Sequence, residues 1–259
     1  MDELFLRPFL TGLCLALFLP WLGNLLRLRD EWFATLGLAH LSAAGAMLAQ
    51  ALGISILVGS PLGALCGALA KLAAGARSNA AYGVMMLAGW SATLLVAANG
   101  GAGEALGHAL IDGQLYFSGP AEALIACLLL VGGVVLLPLL TPRLIAAVLF
   151  PANEKVNRLP AWRWHLGFEC LVVIAVAIAT ASIGLMACFA LLFVPAWVSF
   201  GRAVSWRQGV LLSIVLGLGC YVAAFFTALR FDQPFGPVLV GLLVMACLGL
   251  RAGLSRRHG

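Results

Sequence analysis

Charge is what this chain has least of. Only 10% of its 259 residues are Asp, Glu, Lys or Arg, against about 25% in an ordinary soluble domain. No polar stretch is long enough to build a soluble domain, so the chain is a single unit, residues 1–259. There is no CxxC and no Cys/His cluster. Cys14, Cys66, Cys127, Cys170, Cys188, Cys220 and Cys247 are scattered singly through apolar runs and read as small buried hydrophobes. No basic face accompanies the net charge of +5, which excludes a nucleic-acid reader and leaves the charge as a topology signal. No phosphate-binding lysine motif occurs, so this chain does not itself hydrolyse ATP. No nucleophile–base constellation is visible either. The opening MDELFLRPFL lacks a basic n-region and a small-residue cleavage site, so the first apolar run is expected to be retained.

What is there is hydrophobic: 63% of the residues, in long unbroken runs. A transmembrane barrel would show short alternating segments instead. The expectation is an all-α, polytopic transmembrane helical bundle of eight or nine spans, some broken or short. The runs cover about 8–26, 32–53, 54–74, 80–98, 121–150, 166–181, a shorter piece to Gly201, 209–229 and 238–250. Pro138 and Pro142 are expected to bend the long fifth run, and Ser182-Ile-Gly184 to break the sixth. Residues 104–120 are only half apolar and read as an interfacial or re-entrant helix. Residues 151–165, PANEKVNRLPAWRWH, form the most polar loop.

Basic residues orient the chain. With nine alternating spans and the turn after the first placed in the cytoplasm, only Arg7 and Arg230 of the 15 basic residues face outward. This puts the N-terminus outside, 104–120 outside, 151–165 inside and the C-terminus in the cytoplasm. Removing one span would flip every later loop and spoil that asymmetry.

One imidazole lies deep in this apolar background. If a helix begins at Trp32, His40 is eight residues in, roughly 12 Å at ~1.5 Å per residue and near the middle of a ~30 Å core. Ionisable groups at that depth usually face a cavity, a partner or a pathway. The alternative is a packing histidine bonded to a backbone carbonyl between helices. Ala39, Ser42, Ala43, Ala44, Gly45 and Ala46 would let neighbouring helices approach closely. Glu104, His108 and Asp112 share one helical stripe on the expected outer face. That stripe suits either cation reception or plain solvation. Glu169, a turn inside the sixth span, is expected to pair with an arginine at the interface, and Asp232 to serve loop and cap chemistry.

Three segments carry a family resemblance. LRLRDEWFATLGLAHLSAAGAMLA resembles an Arg-rich turn and a G-D-x-L-A-H-x-x-x-x-G helix, matched at Leu38, Ala39, His40 and Gly45. ASIGLMACFALLFVPAWVSFGRA is similar to a second stretch through Gly184, Leu191, Leu192, Pro195 and Ala196. FDQPFGPVLVGLLVMACL is similar to a D-x-P-x-G-P loop and final helix through Asp232, Pro234, Gly236 and Pro237. Together they resemble the permease subunit of bacterial metal-ion ABC transporters, the zinc, manganese and iron-chelate uptake family.

The resemblance implies an inner-membrane importer of divalent metal ions, zinc or manganese foremost. The ion is the cargo, and no cofactor is held permanently. It implies a separate ATP-binding cassette ATPase, a periplasmic or extracellular metal-binding protein and a second copy of the chain as partners. It places His40 in the translocation pathway, and Glu104, His108 and Asp112 at an outer metal-receiving face. It makes 151–165 the cytoplasmic ATPase-docking loop, whose short helix docks in a groove of the ATPase, through Pro151, Asn153, Glu154, Lys155 and Arg158. Two of the family's carboxylate positions are filled here by Leu36 and Gln114. Hence either the cation is held loosely, with His40 as the one strong ligand, or the substrate is a chelate or another small solute. A secondary carrier or an intramembrane enzyme acting without an ATPase is the alternative class. The first would call for inverted repeats and midplane acids, the second for a catalytic partner to His40.

Overall fold

The computed structural model describes residues 3–74, 79–99, 113, 115–157 and 160–255. Among them nine long helices form the bundle: α1 (Glu3–Leu28), α2 (Trp32–Ala51), α3 (Ile56–Ala74), α4 (Asn79–Asn99) and α5 (Pro120–Leu149), then α7 (Ala161–Ile183), α8 (Leu185–Phe200), α9 (Trp206–Phe231) and α10 (Phe235–Ser255). The short helix α6 (Pro151–Val156) and a 3-10 turn at Leu115–Phe117 complete the described elements. Six of the helices are long and apolar enough to cross a membrane, and α3, α8 and α10 carry shorter apolar stretches. Leu62, Leu65 and Leu69 on α3 and Leu128, Val131 and Val135 on α5 are exposed, as a helix facing lipid requires.

The short helix that the resemblance implies within 151–165 is present as α6. Pro151 suits the first turn of α6, where a missing N–H costs nothing. After 157 the chain enters α7 at Ala161, five residues before the expected start of that span. Pro138 and Pro142 lie inside α5 without ending it. The break after the sixth span is a single residue, Gly184, with φ 88° and ψ 160°, a backbone state that glycine reaches without steric cost. Beyond it α8 runs back. His165 at the start of α7 contacts Arg29, while Trp197 and Phe200 at the end of α8 contact Arg27. The span that sequence left open is therefore two elements.

The bundle has two chemically distinct ends. At one, Arg27, Arg29, Glu31, Lys71, Glu154, His165, Glu169 and the Arg202–Leu250 contact cluster. At the other, Phe5, Phe9, Tyr116, Tyr221, Phe225 and Phe235 interlock edge-on and tilted, with ring centroids 5.1–6.4 Å apart. There Tyr116 Oη donates to Phe225 O at 3.0 Å and Tyr221 Oη to Phe9 O at 2.8 Å. The cysteines divide: Cys14, Cys188 and Cys247 are buried, but Cys66, Cys127 and Cys170 are exposed and do not match the expectation of burial. A thiol is apolar enough for a lipid-facing surface. Asp232 caps α9 in the left-handed conformation, φ 51°.

Candidate functional site

Helix α2 is sandwiched between α3 and α4 and touches α7 and α8. Its small residues permit this. Ala39, Ser42, Ala43, Ala44 and Ala46 are buried, and a Cβ added to Gly45 would stand 2.8 Å from the Gly63 Cα of α3. On the other side Gly89 of α4 crosses α2 directly at the imidazole-bearing residue. A Cβ there would lie 2.5 Å from the His40 carbonyl carbon and 2.6 Å from Leu41 N.

His40 is 7% exposed. Its Nδ1 lies 2.8 Å from Leu36 O, one turn back. A carbonyl oxygen can only accept, so Nδ1 carries the proton. In the neutral ring Nε2 then keeps its lone pair, and among the described residues it has no hydrogen-bond partner. His40 is thus bonded to a carbonyl of its own helix, and its second nitrogen is available. Such a nitrogen is a ligand for borderline cations such as Zn²⁺. Leu36, where a carboxylate would otherwise adjoin the imidazole, is partly buried and contributes only its backbone oxygen. Among the described residues no three His, Cys, Asp or Glu side chains gather into a metal cluster.

Two residues beyond His40 a buried hydroxyl chain crosses the helices. Ser42 Oγ donates to Ser60 Oγ at 2.6 Å, and Ser60 Oγ donates to Ala177 O at 3.0 Å. This joins α2, α3 and α7. Ser182, further along α7, is buried, and among the described residues its hydroxyl has no hydrogen-bond partner. A groove of about 460 Å³ between α1, α5 and α9 is lined by Trp21, Pro138, Pro142, Trp206 and Arg207, away from His40 and without a carboxylate.

The densest chemistry lies at the start of α2. Arg29 grips Glu31 by two bonds, Nη2–Oε1 3.0 Å and Nε–Oε2 3.2 Å. Lys71 Nζ reaches Glu169 Oε1 at 2.7 Å and Glu31 Oε2 at 3.3 Å, and Arg29 Nη2 reaches Glu169 Oε1 at 3.5 Å. Two cations and two carboxylates balance, and their side chains are only 3–8% accessible. Burial alone would push the Glu31 carboxyl up, but the Arg29 hydrogen bond and the Arg29 and Lys71 charges outweigh it and hold it below its ordinary value. Arg29 Nη1 also donates to His165 Nδ1 at 2.8 Å, so His165 carries its proton on Nε2, which points at Glu154 of α6 at 3.4 Å.

Of the other residues singled out in the sequence, Pro151 and Glu154 lie on α6 and Pro151 is exposed. Asn153 and Lys155 also fall within α6. Glu104, His108, Asp112, Gln114 and Arg158 lie outside the described residues. Glu169 does pair with an arginine, Arg29, as expected. Lys71 falls at the end of the 54–74 run, and nothing in the local sequence pattern shows its two carboxylate partners, Glu31 and Glu169. The available signal was that Glu31, Lys71 and Glu169 all fall within a turn of the same membrane boundary.

Comparison with known proteins identifies the lineage. Among solved structures the chain is similar to PsaBC from Streptococcus pneumoniae in complex with Fab, at 17% identity and a TM-score of 0.84, covering 96% of this chain and 91% of that one. It is also similar to an ABC transporter described as of metal-chelate type, in an inward-facing conformation, at 17% identity and a TM-score of 0.71, covering 96% and 85%. At these identities the likeness concerns the fold. Comparison with curated proteins returns no match. The family model of the ABC 3 transport family matches residues 1–252, and with nearly the whole chain covered, this protein belongs to the ABC 3 transport family.

Proposed function

We propose that the chain is the membrane permease of an ABC importer that carries a divalent metal ion, zinc or manganese, across the bacterial inner membrane. The observation that carries this reading is His40: a buried imidazole at mid-depth on α2, its Nδ1 proton committed to Leu36 O and its Nε2 lone pair uncommitted. Family membership over residues 1–252 supports an ABC transport role and leaves little ground for a stand-alone carrier or enzyme. The name of one of the two similar structures, an ABC transporter of metal-chelate type, agrees with it. With Leu36 beside the imidazole, no adjacent charge holds the cation strongly, which suits a passage site where tight binding would slow release.

The working assembly on this reading is a permease homodimer with two ATPase chains, served by an outer metal-binding protein. One chain offers one docking segment, and a two-ATPase engine needs two, which favours an isologous pair. The charged end of the bundle, with α6, faces the cytoplasm and the ATPase. The C-terminus lies at that end and the N-terminus at the aromatic end. Glu104, His108 and Asp112 would receive the ion outside, and Glu154, Lys155 and Arg158 would meet the ATPase. His40→Ala is the test. Uptake of Zn²⁺ and Mn²⁺ into proteoliposomes should vanish while the complex stays assembled and ATP hydrolysis largely persists. Normal uptake by this variant would make His40 a packing residue and place the pathway elsewhere.

A further inference from the structure

The docking helix is not merely adjacent to the transmembrane helices; it is wired to them. Glu154 on α6 accepts from His165 Nε2, His165 Nδ1 accepts from Arg29, and Arg29 holds Glu31 and Glu169, which share Lys71. The chain of donors runs in one direction without a gap, from Arg29 through the imidazole to the Glu154 carboxylate. It ends in a charge-balanced cluster that joins the α1–α2 turn, the last turn of α3 and the first turns of α7.

Position along the relay determines what each part can do. Glu154 and His165 are 25% and 28% accessible, so water competes there and the contacts can lengthen and re-form. The inner four are 3–8% accessible, and pulling one charge away strands another in the interior. Arg29 is further fixed by stacking on Phe168, 5.0 Å from its ring centroid. The outer contacts therefore yield while the inner four move as one body. Glu31 is the residue directly before α2, the helix that carries His40. A displacement of α6 that keeps the His165–Glu154 contact closed reaches the base of that helix through the inner four, and one that opens the contact does not.

We propose that His165 and Glu154 are positioning residues for transport: through Arg29 and the Glu31–Lys71–Glu169 cluster they transmit movement of α6 to α2, coupling ATP hydrolysis to passage of the ion. The proposal rests on the reading that α6 docks on the ATPase, and its test separates the two. The intact complex is reconstituted in proteoliposomes with Zn²⁺ and, separately, Mn²⁺ as cargo. A photocrosslinker replaces the exposed Ala152 to report docking, and the metal moved per ATP hydrolysed reports coupling. His165→Leu removes both ring nitrogens. His165→Gln keeps an acceptor for Arg29 and a donor for Glu154.

The expected result is a crosslink to the ATPase in all three proteins. Metal per ATP falls at least tenfold in His165→Leu with ATP hydrolysis retained, and stays within twofold of the parent in His165→Gln. An unchanged ratio in His165→Leu overturns the relay and leaves docking intact. Loss of the crosslink in His165→Leu overturns it too, because the imidazole then holds α6 in place for docking rather than transmitting. Equal uncoupling in both variants assigns the effect to ring packing and likewise overturns the relay. Absence of a crosslink in the parent protein overturns the docking reading itself.

Discussion

Lys71 and Glu169 allow the buried cluster to be weighed. Their side chains are 5% and 8% accessible and 2.7 Å apart, and Lys71 is also 3.3 Å from Glu31. Lys71→Met leaves two carboxylates facing Arg29 alone. Breaking a buried pair from one side costs about 3–5 kcal/mol, because the remaining charge is uncompensated. Glu169→Gln leaves two cations facing Glu31, with a cost of the same order. The double variant removes one charge of each sign and returns the site to balance around the two-bond Arg29–Glu31 pair, at 3.0 and 3.2 Å. If the two losses were independent, the double variant would lose about 6–10 kcal/mol. Shared compensation predicts a loss no greater than the worse single variant, a coupling of about 3 kcal/mol, at the upper end of the usual range. Reversible unfolding in mixed micelles, followed by denaturant titration for all four proteins, measures it. Losses that add to within about 0.5 kcal/mol would refute the claim that these charges compensate one another.

Other expectations concern separate sites. Gly89→Ala places a methyl 2.5 Å from the His40 carbonyl carbon, against backbone that cannot swing aside. It should cost about 1–3 kcal/mol in the same unfolding assay and lower uptake by displacing α4. Leu36→Asp supplies the carboxylate that the imidazole lacks; it should tighten Zn²⁺ binding and slow turnover, read by calorimetry and initial uptake rates. Reversing the charge at Glu154, Lys155 or Arg158 should weaken co-purification of the ATPase more than it disturbs permease folding. The Glu31 carboxyl is held below its ordinary value, so its stabilising contribution is fully present above the unfolded-state value. It is lost as pH falls through the lower folded-state value. Acid titration of unfolding should therefore run flat from neutral pH into weak acid and fall below the ordinary carboxylate range, and Glu31→Gln should shrink that limb.

The spans were legible because a bilayer demands length and apolarity, and both are visible in one dimension. The break at Gly184 was legible for a related reason: a glycine between two apolar runs is a position where the backbone can take φ 88°. His40 stood out as the lone ionisable group at its depth, but its tautomer had to await a measured distance to Leu36 O. Residues 151–165 announced themselves by polarity and the resemblance implied a short helix there, yet polarity hid that the later part already belongs to α7, which starts at Ala161. The ionic cluster was hardest to read. Lys71 lies 40 residues from Glu31 and 98 from Glu169, and no local pattern encodes such pairings. Only the pairing of Glu169 with an arginine at the interface could be anticipated, and which arginine, Arg29, had to await the structure.

The ring cluster at the aromatic end sets the kind of movement available to the rest. Phe9 on α1, Tyr116, Phe225 on α9 and Phe235 on α10 are locked by ring packing and two tyrosine hydroxyl bonds. Sliding a helix along its axis would break these ring contacts, whereas a swing about them would cost less, with least travel at the rings and most at the charged end. For the 26 residues of α1, ~39 Å at 1.5 Å per residue, a swing of about 5° carries the far end roughly 3 Å. That is the length of one hydrogen bond, enough to break an outer contact such as His165 to Glu154 while the hinge itself stays closed. On the proposed function, the aromatic end would serve as the pivot and the charged end, where α2 begins, as the long arm of the lever.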